Sequence, residues 1–353
     1  MKKFAKMSLA AAIAVGGLTS TASAVDLEQA IKGVDISGQV RYRMEDNTGV
    51  FGGADQEDQD VNIDVTVKVP VNDNVNFIAN ANFDNDDQGD AGVAGAGAAV
   101  LDEYYFQYIN GPVTAHLGAQ VIPGRQTDGL IGEGLVGLYN AGAFTIGAAG
   151  FYNSEATSQT IYSVIAMGSI GPVSLLGQYT DAEDALDSYN LKADATFGPV
   201  TAGVEYSETD EDANNLDLST FKAYVSGSID IVSATLAYVG TGDDGSGSID
   251  HAVETPAEFL LWQMGSGNVI TGLTKGVADL DAWALDASVK VTDSISIRAA
   301  YGDGEAGNTD LTETLGQVSY KMSKNLNTYI RYSQFEVGNQ ENDRGRVEVK
   351  YTF

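Results

Sequence analysis

Basic residues are scarce in this chain, and their placement is uneven. The sequence carries 19 Lys and Arg against 49 Asp and Glu. Ten of them are Arg41, Arg43, Lys68, Lys290, Arg298, Lys321, Arg331, Arg344, Arg346 and Lys350. They cluster towards the two ends of the chain, in segments where apolar and polar residues alternate. Charges placed this way can do two things. They can pair with carboxylates such as Glu45, Asp64, Asp286 and Glu348 on neighbouring strands. They can also stand as a row of fixed charge beside water, orienting dipolar solutes and biasing ion choice. The two roles overlap, because a charged wall also needs internal pairing. Catalytic chemistry has much less to work with. There is no cysteine, and His116 and His251 are the only histidines. His116 sits between Ala115 and Leu117, as a strand residue would. No Gly-x-Ser-x-Gly, His-Glu-x-x-His or phosphate-binding loop occurs. The Gly/Ala-rich run Gly92–Gly97 follows an acidic stretch rather than a buried strand. The sequence therefore predicts no enzyme.

The elements that hold these charges have a period of two. Ile36, Gly38, Val40, Tyr42 and Met44 alternate with Ser37, Gln39, Arg41, Arg43 and Glu45. Val61, Ile63, Val65, Val67 and Val69 alternate with Asn62, Asp64, Thr66 and Lys68. The segments starting at Trp283 and Ile295 repeat the pattern. Such alternation gives strands with one apolar and one polar face. Eighteen strands are expected, with sixteen the alternative. Their starts lie near Asp35, Gln59, Val75, Leu101, Val113, Gly132, Ala143, Gln159, Val173, Asp187, Val200, Asp217, Ile231, Asp279, Ser294, Leu311, Leu326 and Arg344. Short turns such as Asn110–Pro112 and Gly198–Pro199 alternate with longer acidic connections. Examples of the latter are Asn47–Asp58, Asn85–Val100, Thr209–Asn215, Gly240–Ala278 and Asp303–Asp310. A transmembrane antiparallel β-barrel sorts its connections in this way, with tight turns at one end and long loops at the other.

The two chain ends agree with export to an outer membrane. Lys2, Lys3 and Lys6, the apolar run Met7–Gly17 and Ala22-Ser23-Ala24 form a signal peptide over residues 1–24. Its removal leaves residues 25–353 as a single barrel domain. A short helical stretch, Asp26–Lys32, lies within its first ten residues, 25–34. Sixteen basic residues then face 49 acidic ones, a balance of −33. That balance disfavours nucleic acid as a partner and favours cations. The final strand puts Val347, Val349, Tyr351 and Phe353 on one face. A terminal aromatic there resembles the signal read by the barrel-assembly machinery of Gram-negative outer membranes.

Three stretches carry a more specific resemblance. Asp26–Asp35 runs into Ser37-Gly38 and Arg41-Tyr42-Arg43. Gly118-Ala119-Gln120 is followed by Asp128–Gly134. The chain closes on a strand ending in Phe353. In these places it resembles the major outer membrane porin family of Campylobacter-type bacteria. The resemblance implies an eighteen-stranded, trimeric, cation-selective general porin with an inward-folded constriction loop and calcium in that constriction. The loop falls on Ile122–Gly134 and contains Arg125, Asp128 and Glu133. Folded inward, it would set Asp128 and Glu133 against the ten-residue basic wall. Asp128 is the candidate calcium ligand, with Glu155 and Glu254 as companions, since calcium takes six to eight oxygens. The apolar stretch Pro256–Trp262, inside a long connection, is expected in the barrel mouth or against a neighbouring subunit. The function expected is diffusion of ions and small hydrophilic solutes across the outer membrane. The alternatives are a substrate-specific channel and a surface adhesin or structural protein.

Overall fold

A computed structural model describes residues 33–49, 56–88, 99–125, 127, 130–154, 158–212, 216–246, 261 and 278–353. The signal peptide and the Asp26–Lys32 helix lie outside these residues. Eighteen strands follow in chain order. They are β1 (Asp35–Thr48), β2 (Gln56–Asn72), β3 (Val75–Gln88), β4 (Ala99–Asn110), β5 (Val113–Val121) and β6 (Ile131–Asn140). Next come β7 (Phe144–Ser154), β8 (Ile161–Ile170), β9 (Val173–Ala182), β10 (Leu186–Phe197), β11 (Val200–Glu211) and β12 (Leu216–Ile229). The last six are β13 (Val232–Thr241), β14 (Leu280–Lys290), β15 (Ile295–Ala306), β16 (Thr309–Lys321), β17 (Leu326–Val337) and β18 (Gln340–Thr352).

Each strand pairs antiparallel with the next, and β1 pairs with both β2 and β18. The sheet is therefore a closed eighteen-stranded barrel without a free edge, which leaves no backbone ladder open to lipid. Closure rests on the register Arg43↔Glu348 and Tyr42↔Val349. Backbone hydrogen bonds of 3.0 Å run both ways between Gly38 and Phe353. Gly38 is needed there, because a Cβ would collide with the Asp64 backbone carbonyl and meet the Phe353 ring at 2.9 Å. Tyr351 and Phe353 stack with centroids 6.1 Å apart on the apolar outside.

Alternation fixes which side chains meet lipid. Val40, Tyr42 and Met44 on β1, Leu285 on β14 and Ile330 and Tyr332 on β17 are exposed on the outer face. Residues of opposite parity turn inward, among them Asp60, Asn62, Arg346 and Glu348, all buried. Every expected strand start falls within four residues of an observed one, the widest gap being Gln340 against Arg344 at β18. One expected long connection, Asp303–Asp310, proves to be mostly strand, and a second, Thr209–Asn215, is strand over its first three residues. β11 runs through Glu211, and β15 and β16 are joined across Ala306–Thr309, with Gly307 at φ 61°. Acidic residues at those strand ends read as loop, because the strands extend past the apolar band into the charged rim.

Candidate pore wall and inward loop

All ten basic residues of the expected wall have inward parity. The register strings several of them into one row across neighbouring strands: Glu45↔Arg346, Arg346↔Arg331, Arg331↔Gln317 and Gln317↔Arg298. Directly opposed like charges repel, so the Arg346–Arg331 step needs compensation. Glu45 supplies part of it by accepting from Arg344 and, at 2.6 Å, from Arg346 Nε. Arg331 donates to Gln317 Oε1 at 2.7 Å and lies 5.0 Å from the centre of the Tyr329 ring. Arg43 donates twice to Glu348 Oε2, at 2.9 and 3.1 Å, and Arg298 pairs with Asp286. Arg41 takes Asp60 at 2.9 Å. Asp64, a partner named from the sequence, instead accepts from Gln39 and Asn82. The wall is thus a braid of arginines and carboxylates. The four lysines of the set lie close to the short-turn end, Lys290 and Lys321 being the last residues of β14 and β16.

The connection from β5 to β6 does fold inward. Ile122 is fully buried and Leu130 nearly so. They pack on the inner wall with Val136, Phe151, Ile161 and Ala182. Gly132 allows this approach, since a Cβ there would meet Phe151 at 2.8 Å and Ile122 at 3.1 Å. Thr127 Oγ1 donates to the Ile122 carbonyl at 3.0 Å, and Ile122 N donates to the Leu130 carbonyl at 2.8 Å, so the loop closes on itself. Gln178 on β9 ties it to the barrel. Its Nε2 donates to Thr127, Ser163 and Thr180, and its Oε1 accepts from Arg125 N. Gly124 backs onto this amide at φ 148°, a left-handed conformation that suits glycine.

One expectation for this loop is corrected, the inward facing of Glu133. Arg125 lies in the loop, as expected. Its guanidinium grips Glu205 on β11 in a bidentate pair, Nε to Oε1 at 2.8 Å and Nη2 to Oε2 at 3.2 Å. Asn190 donates to the same carboxylate at 2.8 Å, and Lys222 is its cross-strand neighbour. Glu133 is not in the loop. It lies on β6 with Leu135 on the outer face, where Tyr104 and Tyr152 donate to its two oxygens at 2.6 and 2.8 Å. A register shift at Glu133/Gly134 brings Tyr152 out to meet it.

Asp128, Glu155 and Glu254 lie outside the described residues. Among the described residues no group of three His, Cys, Asp or Glu is placed to hold a metal. His116 is a wall residue of β5. Gln107 Nε2 lies 3.1 Å from its Nε2 and Gln120 Oε1 lies 2.9 Å from its Nδ1. Sequence reasoning missed Gln178, Asn190, Glu205 and Lys222. Their inward parity was readable; their convergence on one loop was not.

A second connection also reaches inward. Of Pro256–Trp262 only Leu261 is described, and it is buried among inward residues of β13–β17, including Val239, Leu280, Leu311, Leu315 and Phe335. Gly302 forms the floor of this socket, where any Cβ would collide with the Leu261 side chain. For Leu261, the expectation of packing inside the barrel mouth holds.

Residues 1–160 match the Campylobacter major outer membrane protein family. No curated protein matches the chain. The fold is similar to the crystal structure of Pseudomonas aeruginosa OccK3 (OpdO), with a TM-score of 0.71 at 14% identity over 93% of this chain and 97% of that one. It is also similar to P. aeruginosa OpdK with vanillate, with a TM-score of 0.69 at 14% identity over 91% and 99%. The P. aeruginosa OccK2 (OpdF) structure in complex with glucuronate gives 0.69 at 14% identity over 91% and 98%. A closed ring with an apolar outside, a polar inside and an inward loop gives the chain the fold of an outer-membrane porin barrel, and the match over residues 1–160 makes that part similar to the Campylobacter major outer membrane protein family, which speaks for a channel rather than an enzyme.

Proposed function

We propose that the protein is a general diffusion porin, cation-preferring, that passes ions and small hydrophilic solutes across the outer membrane. The observation that carries this reading is the polar inward face of a closed ring of eighteen strands. Rings of that size are wide enough to keep an aqueous lumen. A formal charge of −30 enriches cations near the mouth, and Ile122 and Leu130 of the β5–β6 loop seat on one wall. Five of the six arginines of the basic wall pair with carboxylates, so that part of it adds a transverse field rather than a net positive ring. Export through residues 1–24, homotrimer formation and delivery by the barrel-assembly machinery through Tyr351 and Phe353 complete the proposal. Trimer and calcium are carried by the family resemblance alone, and no step of the proposed transport passes through calcium.

Planar-bilayer recording in a KCl gradient tests this. Stepwise conductance with a reversal potential of the cation-selective sign is expected. Well-folded protein that gives no steps would sink the proposal. A second reading, a channel selective for carboxylate solutes, is favoured by the row of Arg346, Arg331 and Arg298. The vanillate and glucuronate named with two similar structures are both carboxylates. In that case millimolar glucuronate should block the current in a saturable way. A current unchanged by glucuronate and vanillate leaves the general porin.

A further inference from the structure

The charges of the inner wall differ along the barrel axis as well as around it. The arginines sit at mid-depth with protein partners. Lys68, Lys290, Lys321 and Lys350 lie within four residues of the short-turn ends of β2, β14, β16 and β18. These are alternate strands of one continuous arc of the ring. Among the described residues none of the four forms an ion pair, and Lys68, Lys290 and Lys321 are solvent-exposed. Asp73 and Asp293 in the adjoining turns, and Asp35 beside Lys68 in register, offset part of this charge. Asp194 on the facing strand β10 accepts from Tyr224 at 2.7 Å and lies 3.5 Å from Lys192.

The long-loop end is different. There Glu183, Asp184, Glu211 and Asp212 lie in the turns or with inward parity, and Asp181, Asp187, Glu208, Asp210 and Asp217 surround them on the outer rim, where Tyr179 donates to Asp187 and Tyr189 and Tyr206 donate to Glu208. The basic residue described in a connection at that end, Arg125, is buried against Glu205. One mouth is therefore strongly acidic and the other near neutral with a lysine arc.

From this we infer that the channel rectifies, with the lysine arc setting the asymmetry. The inference rests on the porin reading. Cations are abundant in the acidic mouth. When that side is positive, they are driven towards the lysine end while anions enter from it, so carriers accumulate inside and current is high. Reversed voltage pulls both out, and the lumen is depleted. Wall charge reaches about 10 Å into the lumen at 0.1 M salt but only about 3 Å at 1 M, so the effect belongs to low salt.

The test is single-channel current against voltage in 0.1 M and 1 M KCl. The chain has no cysteine, so D244C labelled from one side with an impermeant maleimide reports orientation. At 0.1 M, about twofold larger current is expected with the acidic side positive, falling to near symmetry at 1 M. The K290E/K321E/K350E variant should bring the 0.1 M ratio close to one while steps persist, and K290Q/K321Q/K350Q should fall between. Symmetric wild-type currents at 0.1 M, or the opposite sign, overturn the inference. So does a ratio untouched by either lysine variant. Absence of any steps in the wild type overturns the porin reading instead. If neither lysine variant folds, the salt dependence of the wild-type ratio decides.

Discussion

Two walls of the barrel solve the problem of inward-facing polar residues in opposite ways. On β14–β18, β1 and β2 the charges pair sideways with neighbours in register, and their far sides face the lumen. On β6–β11 the loop covers the wall, and inward residues there become buried core around Ile122, Phe151 and the Arg125–Glu205 pair. The first arrangement leaves Arg41, Arg43, Arg298 and Arg344 20–27% exposed, so those pairs are partly screened and contribute less to stability. The second removes charge from water, where a pair matters mainly because neither partner can be lost alone. Field and selectivity should therefore depend on the first wall, and pore size on the second.

The largest expected effect comes from breaking the covered wall. Arg125→Ala leaves Glu205 buried beside Lys222 without its bidentate partner, a local loss of about 3–5 kcal/mol. The loop should lift from β9–β11 and step conductance should rise. An unchanged step would place the pore limit elsewhere. Replacing both partners, R125M/E205Q, should cost less than either single change, as thermal unfolding on a heat-modifiable gel would show.

Leu261 gives a second, smaller break. Leu261→Ala empties a socket among Leu311, Leu315 and Phe335 and should cost about 2–5 kcal/mol locally. Gly302→Val, which fills the socket floor, should have the same signature. Faster chymotrypsin cleavage near position 261 on intact cells is the readout, and wild-type rates in both variants would remove the anchor. The open wall should respond least in stability. Arg43→Ala unpairs a buried Glu348 that still accepts from Tyr329, so the expected loss is smaller than for Arg125→Ala. Its reversal potential should move towards stronger cation preference, because a positive charge leaves the lumen and Glu348 stays. A stability loss larger than that of Arg125→Ala would undo the contrast between the walls.

Much of the fold was legible because a membrane barrel writes itself into parity. Ile330 and Tyr332 must meet lipid while Arg331 and Ser333 must not, so alternation alone assigns the faces. The loop from 122 to 130 could be named but not oriented. Parity stops at Val121, and nothing local to Arg125 says that Glu205, eighty residues on, lies within reach. Glu133 follows the loop directly, but β6 begins at Ile131, so Glu133 shares the outward parity of Leu135 and Tyr139.

By itself, the sequence narrowed the strand count to eighteen or sixteen and determined the inward parity of the ten basic residues, the acidic excess and the closing strand. Each depends on period, composition or a terminus, all of which are local. Tertiary structure alone decided which carboxylate each arginine takes, which wall the loop covers and where Leu261 seats. Those outcomes depend on register around a closed ring, where the partner of a residue on β1 comes from β18 and lies some three hundred positions away. No local pattern encodes such a distance; closure of the sheet does.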